Sequence, residues 1–303
     1  MAFRTRALTS LAAVGALAMM AGCASNAGSE EGASDERGSA SDPVRIGVVG
    51  ASNPYWDDYV AAAEDEGISV EIVDFTEYTQ PNPALTQGEL DINQFQHIIY
   101  LADYNVANDE DLQPIGATVT YPLGLYSSSY DDVADIPDGE TVLVPNDTTN
   151  QARGLLVLQS AGLIALEGGG SPSSTLDDII ADESSVEVKA LDAALIAPSL
   201  PDAAAAIINN DFLDAADLTS EDAIAADDPA DASALPYVNI FAARADDADD
   251  EVLNQLVDIY QSSQEVIDGV IEVSGGTAVV ATTPKDELQA SLADVEEDIR
   301  AAG

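Results

Sequence analysis

From residue 44 onward, short apolar runs alternate with longer amphipathic stretches. Val44 to Gly50 (VRIGVVG) is an apolar run of strand type. Asn53 and Pro54 then offer an N-cap and a first-turn proline for a helix reaching Glu66, with Gly67 past its end. Val70 to Phe75 (VEIVDF) alternates like a strand, Pro83 to Gln87 reads as a short helix stopped by Gly88, and Leu90 to Phe95 is extended again before a helix over His97 to Tyr104. Thr141 to Val144 is a further strand, followed by a helix from Gln151 to Ser160 with Asn150 as its cap. Ala204 to Ile208 and Val238 to Ala242 are strands, and Leu288, Leu292, Val295 and Ile299 give Pro284 to Ala302 the period of an amphipathic helix whose role is packing. Residues 168–175 and the acidic, Ala-rich 219–236 lack an apolar period and read as surface insertions, the second as a loop. The alternation predicts an α/β protein of two lobes, each a mainly parallel sheet flanked by helices, with ligands at the carboxyl ends of the strands.

The first 23 residues follow another logic. Arg4 and Arg6 precede an apolar run, Ala7 to Met20, that is short for a membrane span and ends in Met20-Ala21-Gly22-Cys23. This resembles a bacterial lipobox, with Cys23 the acylated (palmitate-bearing) first residue of the mature chain, although Met20 stands where Leu is usual. Ordinary secretory cleavage near Ala21 is the alternative. Residues 23–43 then form the acylated cysteine and a Ser/Gly/Ala-rich flexible tether.

Composition narrows the function. The 303 residues carry 9 Lys+Arg against 56 Asp+Glu, a formal net charge of −47, with 46% hydrophobic residues. Cleavage after residue 22 removes Arg4 and Arg6 and no acid, leaving seven cations and a net charge of −49. Such a field repels phosphate backbones and anionic lipid, which argues against nucleic-acid binding and suggests a saline habitat or a self-repelling extracytoplasmic surface. One Cys excludes a disulfide framework, and with one His it leaves no ordinary zinc, haem or iron–sulfur ligand set. No cofactor is expected.

Seven cations among so many acids make each one worth explaining. Arg153 falls in the first turn of the helix expected after Asn150, where a cation opposes the helix dipole unless an anion docks beside it. Pairing with a surface acid accounts for it equally well. Tyr78, Phe95, His97 and Tyr100 gather four rings within 23 residues of a chain that is 5% aromatic. Phe95 and His97 share a face of an extended segment, and Tyr100 follows by one helical turn. Such a group suits a polarizable side chain such as a thioether, or forms plain core. Asn209 and Asn239, near strand ends, supply amide oxygens for an ammonium group or serve as turn residues.

The stretches FTEYTQPNPAL (75–85), GELDINQFQHIIYL (88–101), GLYSS (124–128), PNDTTNQARGLLVLQSAGLI (145–164) and PYVNI (236–240) resemble the NlpA/MetQ-type family, the methionine-binding lipoproteins of ABC importers. The resemblance implies a two-lobed, periplasmic-binding-protein-like (type II) fold with methionine between the lobes. Carried over by position, Tyr78, Phe95, His97 and Tyr100 surround the ligand side chain, Arg153 binds its carboxylate, and Asn209 and Asn239 contact its backbone groups. The chain departs from the family pattern at Ile98-Ile99, at Gln151-Ala152 and in the loop Gly50 to Trp56, whose bulky rings are expected to border the cleft.

The expected organisation is a signal peptide (1–22), the acylated Cys23 and tether (23–43), lobe one (44–121 plus 240–303) and lobe two (122–239). The chain crosses between lobes near Tyr121-Pro122 and Pro236 to Asn239, the expected hinge. The expected function is a lipid-anchored receptor on the extracytoplasmic face of the cell membrane. It works as a monomer and delivers methionine or a close analogue, by lobe closure, to an ABC permease and its ATPase. A receptor for another apolar amino acid or short peptide, and a surface interaction protein without transport, are the alternatives. An enzyme is not expected, because His97 has no evident Ser or Cys partner and no metal-ligand cluster stands out.

Overall fold

A computed structural model describes residues 37–302, and the expected signal segment and Cys23 lie outside the described residues. The elements are β1 (Val44–Val49), α1 (Tyr55–Asp65), β2 (Val70–Phe75), α2 (Pro81–Thr86), β3 (Ile92–His97), α3 (Ile98–Asn108), β4 (Gln113–Ala117), β5 (Val119–Thr120), β6 (Gly124–Tyr126), β7 (Thr141–Pro145), α4 (Thr148–Ser160), β8 (Glu187–Leu191), α5 (Ala193–Ser199), β9 (Ala205–Ile208), β10 (Ala225–Ala226), β11 (Asn239–Ala243), α6 (Glu251–Ser262), α7 (Gln264–Val273), β12 (Val279–Val280) and α8 (Lys285–Ala302). Among the described residues no helix is long and apolar enough to cross a membrane.

Two five-stranded sheets organise these elements. The sheet of lobe one has the order β2-β1-β3-β11-β4, that of lobe two β10-β6-β9-β7-β8, and a two-stranded β12-β5 pair stands apart. In lobe one only β11 runs against its neighbours, and in lobe two only β6 does. Both reversed strands are the ones by which the chain enters a sheet from the other lobe. The crossings lie beside the cleft, at the edge where the remaining strands end, so an entering strand has to run the opposite way.

Lobe one buries apolar side chains on both faces of its sheet. Tyr59, Trp56, Phe241 and Tyr260 pack as tilted and edge-on ring pairs beneath α1 and α6, with centroids 5.3 to 6.4 Å apart. On the other face Leu288 and Leu292 of α8 join Ile98 and Leu101 of α3, which is the packing role expected of the C-terminal helix. In lobe two Leu155, Val157 and Leu158 of α4 cover Val142, Val144 and Ile207 of the sheet.

Several expectations change. The expected Asn53 cap is absent: α1 starts at Tyr55 behind Pro54, and no side chain caps it. Asn53 instead belongs to a backbone turn, its N–H donating to the Gly50 carbonyl, which carries the chain around before the helix starts. The rings of Tyr55 and Trp56 sit in the lobe-one core instead of bordering the cleft. Residues 37–43, expected within the tether, are fastened to lobe one. Arg37 donates to Asp250 and Asp247 at 2.9 Å each, and the Gly38 carbonyl accepts the Ser69 N–H at 2.7 Å. Gly38 is buried at φ +82°, packed so closely on Ile68 and Val252 that a side chain there would be strained and crowded. Residues 219–236 are also more than a loop, because β10 adds an edge strand to β6 and carries Asp227 inward behind it.

Each of the seven described Lys and Arg residues makes an ion pair, three of them (Arg37, Arg45 and Arg244) in one network around Asp91, Asp247 and Asp250. Exposed pairs contribute only about 0–1 kcal/mol each, whereas the large excess of acids over cations is self-repelling. Raising salt from about 0.01 M to about 1 M shortens the screening length from about 30 Å to about 3 Å. The melting temperature should therefore rise with sodium chloride over that range. A flat or falling curve by scanning calorimetry would show that the ion pairs outweigh the repulsion.

Candidate functional site

The carboxyl ends of β2, β3, β7 and β9 converge on one recess with about 440 Å³ of atom-free space, part of it open to solvent. All seven residues singled out in the sequence, Tyr78, Phe95, His97, Tyr100, Arg153, Asn209 and Asn239, line it.

The end of β3 delivers an unusual concentration of them. A bulge lets Ile240 and Phe241 of β11 face Gln96 and Gln94, skipping Phe95. Phe95, Gln96 and His97 can then all reach the recess, which strict alternation forbids. Behind them a buried amide network holds the strand end. Asn82 and Gln96 exchange side-chain hydrogen bonds at 2.7 Å, and Asn93 donates to Asn82 at 2.9 Å.

His97 starts the helix that follows. Its Nδ1 accepts the Tyr100 N–H at 3.1 Å, capping α3. A backbone N–H can only donate, so the ring proton resides on Nε2, which donates to Asn150 Oδ1 at 3.3 Å. Burial first, and then the Arg153 charge, push the imidazole down to about 3, so it is neutral at physiological pH. The aromatic wall continues through Tyr78, Phe95 and Tyr100, with centroids 5.7 to 6.0 Å apart, and Tyr78 also meets Phe212 of lobe two at 5.0 Å. Phe95 is thus both recess wall and part of an apolar cluster shared by the lobes.

Helix α4 begins three residues earlier than expected. Asp147, not Asn150, is its cap, accepting the Asn150 N–H at 2.9 Å and the Thr149 hydroxyl at 3.1 Å. Both residue types cap well, and the one nearer the end of β7 prevails. Arg153 consequently lies in the second turn, and the argument from the helix dipole does not apply to it. Its guanidinium is gripped by Asp227 instead, through Nε at 2.6 Å and Nη2 at 3.1 Å, and Nη2 also donates to the Tyr121 carbonyl at 2.8 Å. The same group lies 4.5 Å from the centre of the Tyr237 ring. Asp227 accepts the Leu123 N–H as well, at 2.7 Å, so the acid that pairs with Arg153 is tied to the interlobe crossing.

Asn150 is the hub between the lobes. Its Oδ1 accepts from His97 and from Asn209 Nδ2 at 3.0 Å, while its own Nδ2 donates to Asp147 at 3.0 Å. Asn209 Oδ1 and Asp147 Oδ2 are buried without a hydrogen-bond partner. A buried acceptor left unpaired is costly, and on a residue that lines the recess, as Asn209 does, it marks where a donor belongs. Asn239 opens β11 opposite His97, at the second crossing. Asp211 and Asp227 were missed in the sequence. Asp211 stands two residues past Asn209 at the same strand end, whereas nothing local connects Asp227 with an arginine 74 residues away.

Residues 44–281 match the model of the NlpA lipoprotein family. The chain belongs to the NlpA lipoprotein family. Within it, the D-methionine-binding lipoprotein MetQ of Escherichia coli K12 is 36% identical over 241 residues, 78% of this chain and 87% of that protein. A Burkholderia cenocepacia nutrient-binding protein, solved bound to methionine, superposes with a TM-score of 0.73 at 35% identity, covering 78% of this chain and 99% of that one. Protein PG110 of Staphylococcus aureus reaches a TM-score of 0.79 at 33% identity, covering 83% and 99%. The fold is accordingly the two-lobed architecture of family members that are substrate-binding proteins.

Because the chain has a single histidine, its ring nitrogens can be followed by NMR without assignment mutants. Nitrogen shifts of a neutral, Nε2-protonated imidazole are expected to persist to about pH 4. A titration midpoint near 6.5, the value for a free side chain, would contradict the buried double hydrogen bond.

Proposed function

We propose that this protein is a solute-binding lipoprotein that captures methionine or a close analogue and presents it to an ABC permease and its cytoplasmic ATPase. The observation that carries this reading is the recess itself. A ring-lined end formed by Tyr78, Phe95, His97 and Tyr100 adjoins a polar end where Arg153 and the unpaired Asn209 oxygen face the same space. A thioether packs favourably against aromatic rings, a carboxylate complements a guanidinium, and an ammonium group satisfies an orphaned amide oxygen. The ligand contacts assigned by position, with Asn239 added at the second crossing, are consistent with that division. The E. coli and Burkholderia relatives, named for methionine binding or solved with it, support the same ligand class.

Lobe two comprises residues 122–239 in this reading, and lobe one the segments 44–121 and 240–303. The hinge lies at Tyr121-Pro122 and at Pro236 to Asn239. Closure is represented by bonds that bridge the lobes, Tyr78 to Asp211 at 2.8 Å and His97 to Asn150 at 3.3 Å. Binding requires a carboxylate to share or replace the Asp227 grip on Arg153. Cys23, once acylated, holds the protein at the outer face of the cell membrane. Binding and release without bond-making chemistry account for the site, since its one imidazole spends both nitrogens on structural hydrogen bonds.

Arg153→Ala is expected to weaken methionine binding at least tenfold, about 1.4 kcal/mol, with an unchanged circular dichroism spectrum. An unaltered dissociation constant by calorimetry would remove Arg153 from the site. Native mass spectrometry of freshly purified protein should in addition reveal a bound species of amino-acid mass. A co-purified peptide, or no small-molecule affinity at all, would transfer the case to the competing readings.

A further inference from the structure

We infer that Asp211 is the receptor for the ligand's ammonium group, so that the site demands a free amine and its affinity is set by the protonation of that one carboxylate. This rests on the amino-acid reading above and goes further in naming the group that imposes it. Among the described residues that line the recess, Arg153 is the lone cation and Asp211 the lone anion. Arg153 already carries a counterion in Asp227, so the recess as a whole presents excess negative charge. A site of that charge attracts an amine at least as strongly as an acid.

The geometry agrees. Asp211 lies in the turn Asn210–Ala216 that follows β9, two residues beyond the buried, unpaired Asn209 oxygen. One carboxylate oxygen, Oδ2, accepts the Tyr78 hydroxyl across the cleft at 2.8 Å, and the other has no hydrogen bond among the described residues. A carboxylate oxygen together with an amide oxygen is an acceptor pair suited to an ammonium group. Burial pushes the Asp211 carboxyl up to about 6 against the lowering effect of the Tyr78 hydrogen bond, so this side chain changes charge in a mildly acidic medium.

The groups around it leave that titration distinct. The Tyr78, Tyr55 and Tyr121 hydroxyls are held neutral by burial, and each is raised further by the Asp211 charge. His97 is neutral down to about 3. The buried Asp147 is raised, and the Arg153 guanidinium stands on α4. Helix α5, which packs on the Asp211 turn, has no titratable residue of its own and only Asp192 at its cap.

The sign follows from linkage. A bound ammonium favours the carboxylate, so affinity is full above about pH 6 and falls, by up to tenfold per unit, as Asp211 protonates below it. The test compares methionine with 4-(methylthio)butanoate, which replaces the ammonium by hydrogen, using calorimetry from pH 5 to 8. For the natural protein, methionine should weaken on acidification while the analogue binds poorly and does not weaken. Asp211→Asn should lose at least tenfold affinity for methionine, flatten its pH profile and leave the analogue unchanged. Parallel pH profiles for the two ligands, or equal losses for both in the variant, overturn the assignment. If the variant does not fold, the contrast between ligands in the natural protein decides. Absence of methionine binding to the natural protein would instead overturn the underlying function, a result distinguishable from the others.

Discussion

Arg153 joins pieces of chain that are distant in sequence. Its guanidinium holds the Asp227 carboxylate from behind β10, the Tyr121 carbonyl at one interlobe crossing and the face of Tyr237 just before the other. Burying a guanidinium is costly, and the cost is offset only when its N–H groups are matched, as a two-point carboxylate grip matches them. Asp227 in turn holds the Leu123 N–H. The crossing, the edge strand and the recess therefore share one electrostatic centre, and a change in what occupies the guanidinium is felt at both passages between the lobes.

The recess was legible because its parts lie close together in sequence. Tyr78, Phe95, His97 and Tyr100 occupy consecutive strand ends and one helical turn, so periodicity and rarity of aromatic residues sufficed to group them. Arg153 stands out by scarcity of cations, although the helix-dipole argument does not apply to it: two good capping residues, Asp147 and Asn150, compete at the head of α4, and sequence does not rank them. Asp227 was invisible, because an acid among 56 carries no local mark and its partner is reached only through the pairing of β10 with β6. The bulge at Phe95 was hidden for a similar reason, since it depends on the register with β11. Helices α6 and α7 complete lobe one by packing against the Tyr59 and Phe241 rings.

The charge of the molecule and the charge of the recess act at different ranges. Across the surface, the acids outnumber the cations about sixfold and every described cation is locally matched. A zwitterion feels little net force from such a field, whereas a free organic anion is repelled before it arrives. On the proposed function, selection between them starts outside the cleft and is completed by Arg153, Asp211 and the ring wall within it.

The clamp of Arg37 on Asp247 and Asp250, with Gly38 laid against Ser69, gives the lobes unequal mechanical standing. If the residues before 37 tether the protein, as the proposed acylation of Cys23 requires, the pull acts on lobe one, and lobe two is reached only through the crossings. Under that proposal lobe one is the moored half as seen from the bilayer, and the swing that admits or frees a solute belongs to its companion. A permease waiting on the same surface would meet a stationary half whose attitude is set by its mooring and a swinging half whose position reports occupancy.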